Sequence, residues 1–297
     1  MKRVLKNVGS TSVNDPVSLL SEVHHTITSK RLIVRGDVVI IGVSGGPDST
    51  ALLHVLYGLR HLIGFRIIVA HFNHRMRPEA VKDERFVVSM AQGLGLKCVC
   101  ARAKERPPKT GSLEDWARRQ RVDFLLGLAV KHKADAVALA HTADDLAETV
   151  LMRVLRGSGL LGLKGMGEEG VIHGTRFIRP LLSLSKRRLL DHLRHLRADF
   201  CVDQTNRETD FFRNKIRLKL LPLLNKEYNA NIVKTLVHLS RSVADDYDLL
   251  VHEASKVFPK VAVAAKGSKC VLSLDVQKLQ KIHPSLKRIV LRMAFER

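Results

Sequence analysis

Three groups of residues have types and spacings that could do chemistry. The first is Ser44-Gly-Gly-Pro-Asp-Ser49. Gly45 and Gly46 let the backbone turn with positive φ and approach a ligand closely, and Pro47 fits a first helical turn, where its missing N–H has no intrahelical partner. Between a strand and a helix such a loop is an anion cradle, because uncapped N–H groups and the helix dipole point at it; a phosphate is the natural guest. The second group is His141-x-x-Asp144-Asp145-x-x-Glu148, three carboxylates at the start of a helix. Helix-dipole pairing alone favours acids there. Three of them beside a phosphate loop, however, repel a polyphosphate unless Mg²⁺ or a substrate cation intervenes, so the pattern calls for a cation site. The third group is basic: Lys186, Arg187 and Arg188 open one helix, and Arg207, Arg213, Lys215, Arg217 and Lys219 crowd a later segment. Clustered charge of this kind suits phosphate-backbone contacts, which are electrostatic and salt-dependent.

These groups need elements to hold them. Val38-Val-Ile-Ile-Gly-Val43 has five β-branched residues in six and reads as a strand buried on both faces, feeding the glycine loop and then a helix through residues 51–56. Residues 65–70 read as a second buried strand, ending at Ala70 and delivering His71 and Asn73; polar groups at the carboxyl ends of parallel strands stand where open α/β sheets bind ligands. A helix over 79–94 and a strand over 97–102 follow. Ser112-Leu-Glu-Asp115 is a capping box opening a helix to about residue 132. On it Glu114, Arg118 and Arg121 share one face, either as a surface ladder or with an arginine held toward phosphates. Residues 136–140 form another strand, and the helix after it has an apolar stripe at 146, 147, 150, 151, 154 and 155, off which the three carboxylates lie. Residues 155–167 are too glycine-rich for a regular element and read as a mobile loop over the site. Further on, residues 229–258 read as one long helix with Leu236, Leu239, Val243, Tyr247 and Leu250 as its core stripe. A short strand over 270–274 and a helix from Pro284 complete the chain.

At 297 residues and 45% hydrophobic composition the chain can bury a full core and divides into two domains. Fifty Lys and Arg against 29 Asp and Glu give a net charge of +21, an excess that points to a polyanionic partner, nucleic acid first. There is no apolar run long enough to span a bilayer, so a soluble protein without a membrane partner is expected. Four scattered cysteines, with no C-x-x-C, argue against a zinc or iron–sulfur site and for reduced thiols in a cytoplasmic protein. The basic N-terminus lacks an apolar core and leads into a first helix over 17–29 rather than forming a secretory signal.

The loop lacks the lysine of a Walker motif. Ser44-Gly-Gly-x-Asp-Ser49 instead resembles the PP-loop of the N-type ATP pyrophosphatases. Taken with Leu113-Glu-Asp-Trp-Ala-Arg118, His141-x-x-Asp-Asp145-x-x-Glu148-Thr, Leu155-Arg-Gly-Ser-Gly159, Arg179-Pro-Leu-Leu182 and Arg213-Asn-Lys-Ile-Arg217, the chain is similar to the tRNA(Ile)-lysidine synthetase family. It departs at Val122, Thr142 and Leu146, where that family commonly carries an aromatic, a second His and a Gln.

The resemblance implies an α/β fold: a doubly wound, mostly parallel, adenine nucleotide alpha hydrolase-like sheet with a smaller, mostly helical C-terminal domain. The expected layout is an extension and first helix over 1–30, the catalytic domain over 31–208, a basic linker over 209–228 and a tRNA-binding domain over 229–297. Longer family members carry a further domain, so the chain reads as a short member or a truncated one. The implied reaction adenylylates C2–O of the wobble cytidine of a CAU-anticodon tRNA(Ile) with ATP, after which the ε-amine of free L-lysine displaces AMP. It assigns ATP, with Mg²⁺, to Ser44, Gly45, Gly46, Pro47, Asp48, Ser49, Ala70, His71, Asn73, Arg118 and His141. Asp48 is the Mg²⁺ ligand, with Asp144 a second candidate, and Asp48, Arg118, Asp145 and Glu148 carry the chemistry. Asp145 and Glu148, one turn apart, converge on the lysine amine, while the competing reading gives an aspartate to the metal. The clustered basic residues grip tRNA, and the enzyme acts as a monomer or homodimer. The rivals are a tRNA thiolase, for which Cys98-Val-Cys100 is a poor cysteine pair, a small-molecule amidating or NAD-forming pyrophosphatase, and a non-catalytic RNA-binding protein on a degenerate nucleotide fold.

Overall fold

The computed structural model describes residues 16–76, 79–105, 112–202, 212–264 and 272–296. These residues separate into two compact units, one taking those up to Glu148 with Met166–Val233, the other Thr149–Gly165 with those from Lys234 onward. The partition differs from the expected boundaries at 31, 209 and 229. The first helix and the basic segment belong to the first unit, and most of the glycine-rich stretch belongs to the second.

In the first unit a six-stranded sheet has the order β3 (Lys97–Arg102), β2 (Arg66–Asn73), β1 (Val38–Gly42), β4 (Ala136–Ala138), β6 (Thr175–Ile178), β5 (Glu169–Ile172). All neighbours are parallel except β5, which forms a hairpin with β6. The apolar runs are continuous because both faces are covered. Val39, Ile41, Ile67, Val69 and Ala138 pack with α1 (Pro16–Ser29), α2 (Pro47–Ile63), α3 (Ala80–Gly93) and α7 (Lys186–Leu196), while Val38, Ile40, Ile68, Val137 and Phe177 pack with α4 (Leu113–His132). On α1, Leu19, Val23 and Ile27 recur every fourth residue, so one stripe meets that core.

The chain winds outward from β1 through β2 to β3, then crosses to β4 on the other side of β1. At that reversal the carboxyl ends of β1 and β4 part, and the crevice between them is where sheets of this topology bind ligands. The glycine loop leaves β1 there, and α5 (Ala143–Leu155) follows β4.

Several elements differ from the sequence expectations. The second strand continues to Asn73, and the strand after Asp135 stops at Ala138. The β5–β6 hairpin was not anticipated; it turns on His173 and Gly174, both at positive φ, the conformation a two-residue hairpin loop requires. The glycine-rich stretch contains a short helix, α6 (Leu160–Leu163). On α5, Leu146, Ala147, Val150 and Leu151 are buried, but Val154 and Leu155 are exposed.

The basic segment folds as α8 (Phe212–Lys215), a π-helical turn (Ile216–Leu220) and α9 (Leu221–Glu227). In the second unit, α10 (Ile232–Val261), the antiparallel pair β7 (Ala262–Ala264) and β8 (Leu272–Leu274), α11 (Val276–Gln280) and α12 (Pro284–Phe295) surround Tyr247, Ala254, Phe258, Ile289 and Val290. Leu239, expected in the stripe of α10, is exposed, whereas Leu236, Val243 and Tyr247 are buried. Cys270 lies outside the described residues. Among the described residues no helix is long and apolar enough to cross a membrane.

Candidate active site

The loop after β1 is tied at each turn. Ser49 Oγ accepts from Ser44 N at 3.1 Å and donates to Gly46 O at 3.0 Å, and Ser44 Oγ lies 3.1 Å from Ser49 Oγ. Gly45 adopts φ +92°, and its carbonyl accepts from Cys201 N at 2.9 Å and Thr50 Oγ1 at 3.2 Å. Gly46 caps α2 without a side-chain bond, and Pro47 begins the helix. The two serine hydroxyls therefore shape the loop, while the amino end of α2 stays open to an anion.

Thr142 caps α5. Its backbone N and its Oγ1 donate to Asp145 Oδ2 at 2.9 and 2.8 Å, and Asp145 N donates back to Thr142 Oγ1 at 3.3 Å, a reciprocal capping box. Asp145 Oδ1 is left for cations: Lys186 Nζ at 3.2 Å, Arg213 Nη2 at 3.3 Å and Arg217 Nη2 at 3.4 Å. Glu148, 1% exposed, accepts from Arg213 Nε at 2.8 Å and from Arg217 Nε and Nη2 at 2.6 and 2.8 Å. Lys186 Nζ also stands 3.8 Å from Asp48 Oδ2 and 3.9 Å from Glu148 Oε1. Three carboxylates and three cations thus form one cage beside the phosphate loop. Burial works against the Asp145 charge, yet Lys186, Arg213 and the Thr142 bonds hold its carboxyl at about 2. Asp48 goes the other way: burial, reinforced by Asp145 and Asp144, pushes it up to about 6 against the pull of Lys186 and Arg217.

Burial of acids on this scale demands paired cations. The sequence held that signal in Arg213 and Arg217, four apart on one face, but it read them as facing a phosphate backbone. They turn inward instead. Lys186 enters the cage, and Arg188 Nη1 pairs with Glu22 Oε2 at 2.6 Å. Arg187, Lys215 and Lys219 are exposed, and Arg207 lies outside the described residues. Asp144 Oδ2 accepts from Lys186 N at 2.8 Å, so this second metal candidate spends one oxygen capping α7.

The other residues assigned to ATP flank the crevice. Ala70 O accepts from Val43 N at 2.8 Å, and His71 Nδ1 lies 2.8 Å from Val43 O, which fixes the loop's base. Asn73 donates to Ala80 O and Glu84, and so holds the start of α3. His141 Nδ1 is buried with no partner among the described residues, and burial lowers the ring's pKa to about 3, leaving it neutral. Arg118 is exposed on α4 and acts electrostatically on Arg179, whose pKa is lowered first by burial and then by Arg118.

The chain is similar to the tRNA(Ile)-lysidine synthase of Clostridium perfringens, 35% identical over 274 residues that are 91% of this chain and 57% of that protein. It is likewise similar to that of Clostridioides difficile, 34% identical over 280 residues, 92% of this chain and 59% of that protein. It spans less than two thirds of the length of these relatives. Its fold resembles the U34-tRNA thiolase of Methanococcus maripaludis, with a TM-score of 0.64 and 16% identity, covering 77% of this chain and 80% of that one. The open loop and carboxylate cage lie within residues 19–224, the stretch matched by the PP-loop domain family, and to that family this chain belongs.

Proposed function

We propose that this chain ligates free L-lysine to C2 of the wobble cytidine of a CAU-anticodon tRNA(Ile), through a tRNA adenylate made from ATP. The observation that carries this reading is an ammonium group, Lys186 Nζ, resting between Asp145, Glu148 and Asp48 beside the phosphate loop. A cage that accepts one primary ammonium there has the chemistry to hold the head of another. The similarity to tRNA(Ile)-lysidine synthases supports the same reading.

In the first step the C2 oxygen attacks the α-phosphorus of ATP, the P–O bond to pyrophosphate breaks, and pyrophosphate leaves. Ser44 to Ser49 and the open end of α2 bind the phosphates. Asp48 is the residue that would hold Mg²⁺: burial and like charge disfavour its ionised form, which a divalent cation would restore. No cluster of three or more His, Cys, Asp or Glu among the described residues could hold a metal ion. Bound Mg²⁺ would supply charge neutralisation on the phosphates. In the second step the lysine ε-amine attacks C2, the C2–O bond breaks with AMP leaving, and the amine gives up a proton. Asp145 and Glu148 orient the amine, and a carboxylate within hydrogen-bond reach of it takes that proton.

The thiolase reading meets an obstacle at Cys98 and Cys100. Their sulfurs lie 3.8 Å apart, but burial and then Cys100 push Cys98 up to about 12, and Cys100 is also raised, so both stay protonated. A cytoplasmic location and a tRNA partner follow from the proposed reaction. The test is incorporation of labelled lysine into CAU-anticodon tRNA(Ile), with AMP and pyrophosphate released one for one. Pyrophosphate release without lysine incorporation would overturn it.

A further inference from the structure

The three cations of the cage are held with unequal grip. Arg217 clamps Glu148 through Nε at 2.6 Å and Nη2 at 2.8 Å, and Arg213 Nε adds a bond at 2.8 Å. Lys186 Nζ has one contact at hydrogen-bonding distance, to Asp145 Oδ1 at 3.2 Å; Asp48 and Glu148 stand farther off, at 3.8 and 3.9 Å. The Lys186 side chain is 26% exposed, whereas that of Glu148 is 1% exposed. A guanidinium fork with two short bonds resists displacement better than an ammonium on a flexible four-carbon stem with one. Lys186 is therefore the cation that leaves first.

Its position also says where it would go. Lys186 is the first residue of α7, and that first turn contains no acid. A run of cations at the positive end of a helix opposes the local electrostatic preference, which makes sense where they serve an anion. Because Asp144 caps α7 through the Lys186 backbone N, the side chain plays no part in holding the helix start. On the loop side its neighbour is Asp48, at the beginning of α2. At present the charges of Asp48, Asp145 and Glu148 are matched by Lys186, Arg213 and Arg217. A further ammonium would leave an excess positive charge in a partly buried site, unless a polyphosphate at the loop takes one cation away.

We propose that Lys186 couples the nucleotide to the amine: without nucleotide its ammonium occupies the amine's place on Asp145, and phosphates at the loop draw it off so that a free primary ammonium can enter. The proposal rests on the lysine-ligation reading and extends it to the order of binding, nucleotide before lysine. The resting chain then does not hold lysine in a site that has nothing to react with it.

The experiment is equilibrium binding of labelled lysine to the chain, with and without Mg²⁺ and a non-hydrolysable ATP analogue, for wild type, Lys186→Met and Lys186→Arg. In the wild type the analogue should tighten lysine binding about tenfold, a typical coupling between sites. Lys186→Met should bind lysine in either condition with less than about a twofold difference. Lys186→Arg, with a firmer fork on the carboxylates, should bind lysine more weakly than wild type in the presence of the analogue. Should Lys186→Met fail to fold, Lys186→Gln carries the same expectation. Equal lysine affinity in the wild type with and without analogue would overturn the coupling, as would full nucleotide dependence in Lys186→Met. A chain that binds the analogue but never lysine would overturn the lysine reading itself, a result distinct from lysine binding indifferent to nucleotide.

Discussion

Thr142 donates twice to the same oxygen of Asp145, from its backbone N at 2.9 Å and its hydroxyl at 2.8 Å, and the threonine is fully buried. Oδ2 is thereby saturated, and Oδ1 is aimed at the cations of the cage. Thr142→Val keeps the volume and removes the hydroxyl. A hydrogen bond to a charged group contributes roughly 1.5–3 kcal/mol, so the lysine KM should rise about tenfold or more while tRNA-dependent pyrophosphate release changes little. Thr142→Ser should restore the KM. If pyrophosphate release falls as the lysine KM rises, Thr142 is only a helix cap.

Gly45→Ala isolates backbone strain from crowding. A Cβ there would meet Cys201 Sγ and Val87 Cγ2 at 3.4 Å, ordinary contacts, so space does not forbid it. The φ of +92° does, at roughly 1–2 kcal/mol for an L-residue. The variant should be less stable by that amount and bind ATP more weakly. Unchanged ATP affinity would show that the loop does not need this conformation to hold phosphate.

The basic segment should divide into two classes. Arg217→Gln removes one clamp from the buried Glu148 and should destabilise the first unit by about 3 kcal/mol, toward the low end for breaking a buried pair, since Arg213 remains. Lys215→Ala and Lys219→Ala, both exposed, should leave the stability within about 0.5 kcal/mol of wild type. Each should flatten the salt dependence of tRNA binding by roughly one unit of slope for every phosphate the lysine neutralises in the wild type. Measuring melting and salt-dependent tRNA binding on the same variants checks both, and a flat response at Lys215 and Lys219 would exclude them from the RNA interface.

His192, buried on α7 with Nδ1 unpartnered among the described residues, gives a pH signature. Burial, helped by His54 and His195, lowers its pKa from 6.5 to about 4. The unfolded chain therefore takes the proton first, and the stability linked to His192 is present above about 6.5 and lost as the pH falls from there toward 4. His192→Leu removes both the proton linkage and the orphaned nitrogen. Its melting temperature should fall less than that of wild type between pH 7 and 4.5; parallel curves would exclude His192 as the titrating group.

The strand, loop and helix around residues 38–63 were legible in the sequence because each part is a local matter. A run of β-branched residues suits a strand covered on both faces, Gly45 supplies the positive φ of the turn although Gly46, at φ −69°, does not, and Pro47 suits only the first turn of a helix. The capping box at Ser112 was equally local, and Ser112 Oγ accepts from Asp115 N at 3.1 Å. The His173-Gly174 turn follows the same kind of local rule, with both residues at positive φ.

What faces the carboxylates of α5 was decided by the tertiary structure alone. Helical spacing placed Asp145 and Glu148 off the apolar stripe, and such a position ordinarily means solvent or a ligand. Their partners come from 41 to 72 residues farther along the chain, on α7, on α8 and in the π-helical turn. A periodicity in one helix says which side chains share a face, but it carries no information about which distant element will be packed against that face. Only the packing of α7 and of the basic segment onto α5 brings Lys186, Arg213 and Arg217 in as counter-charges to these two buried acids.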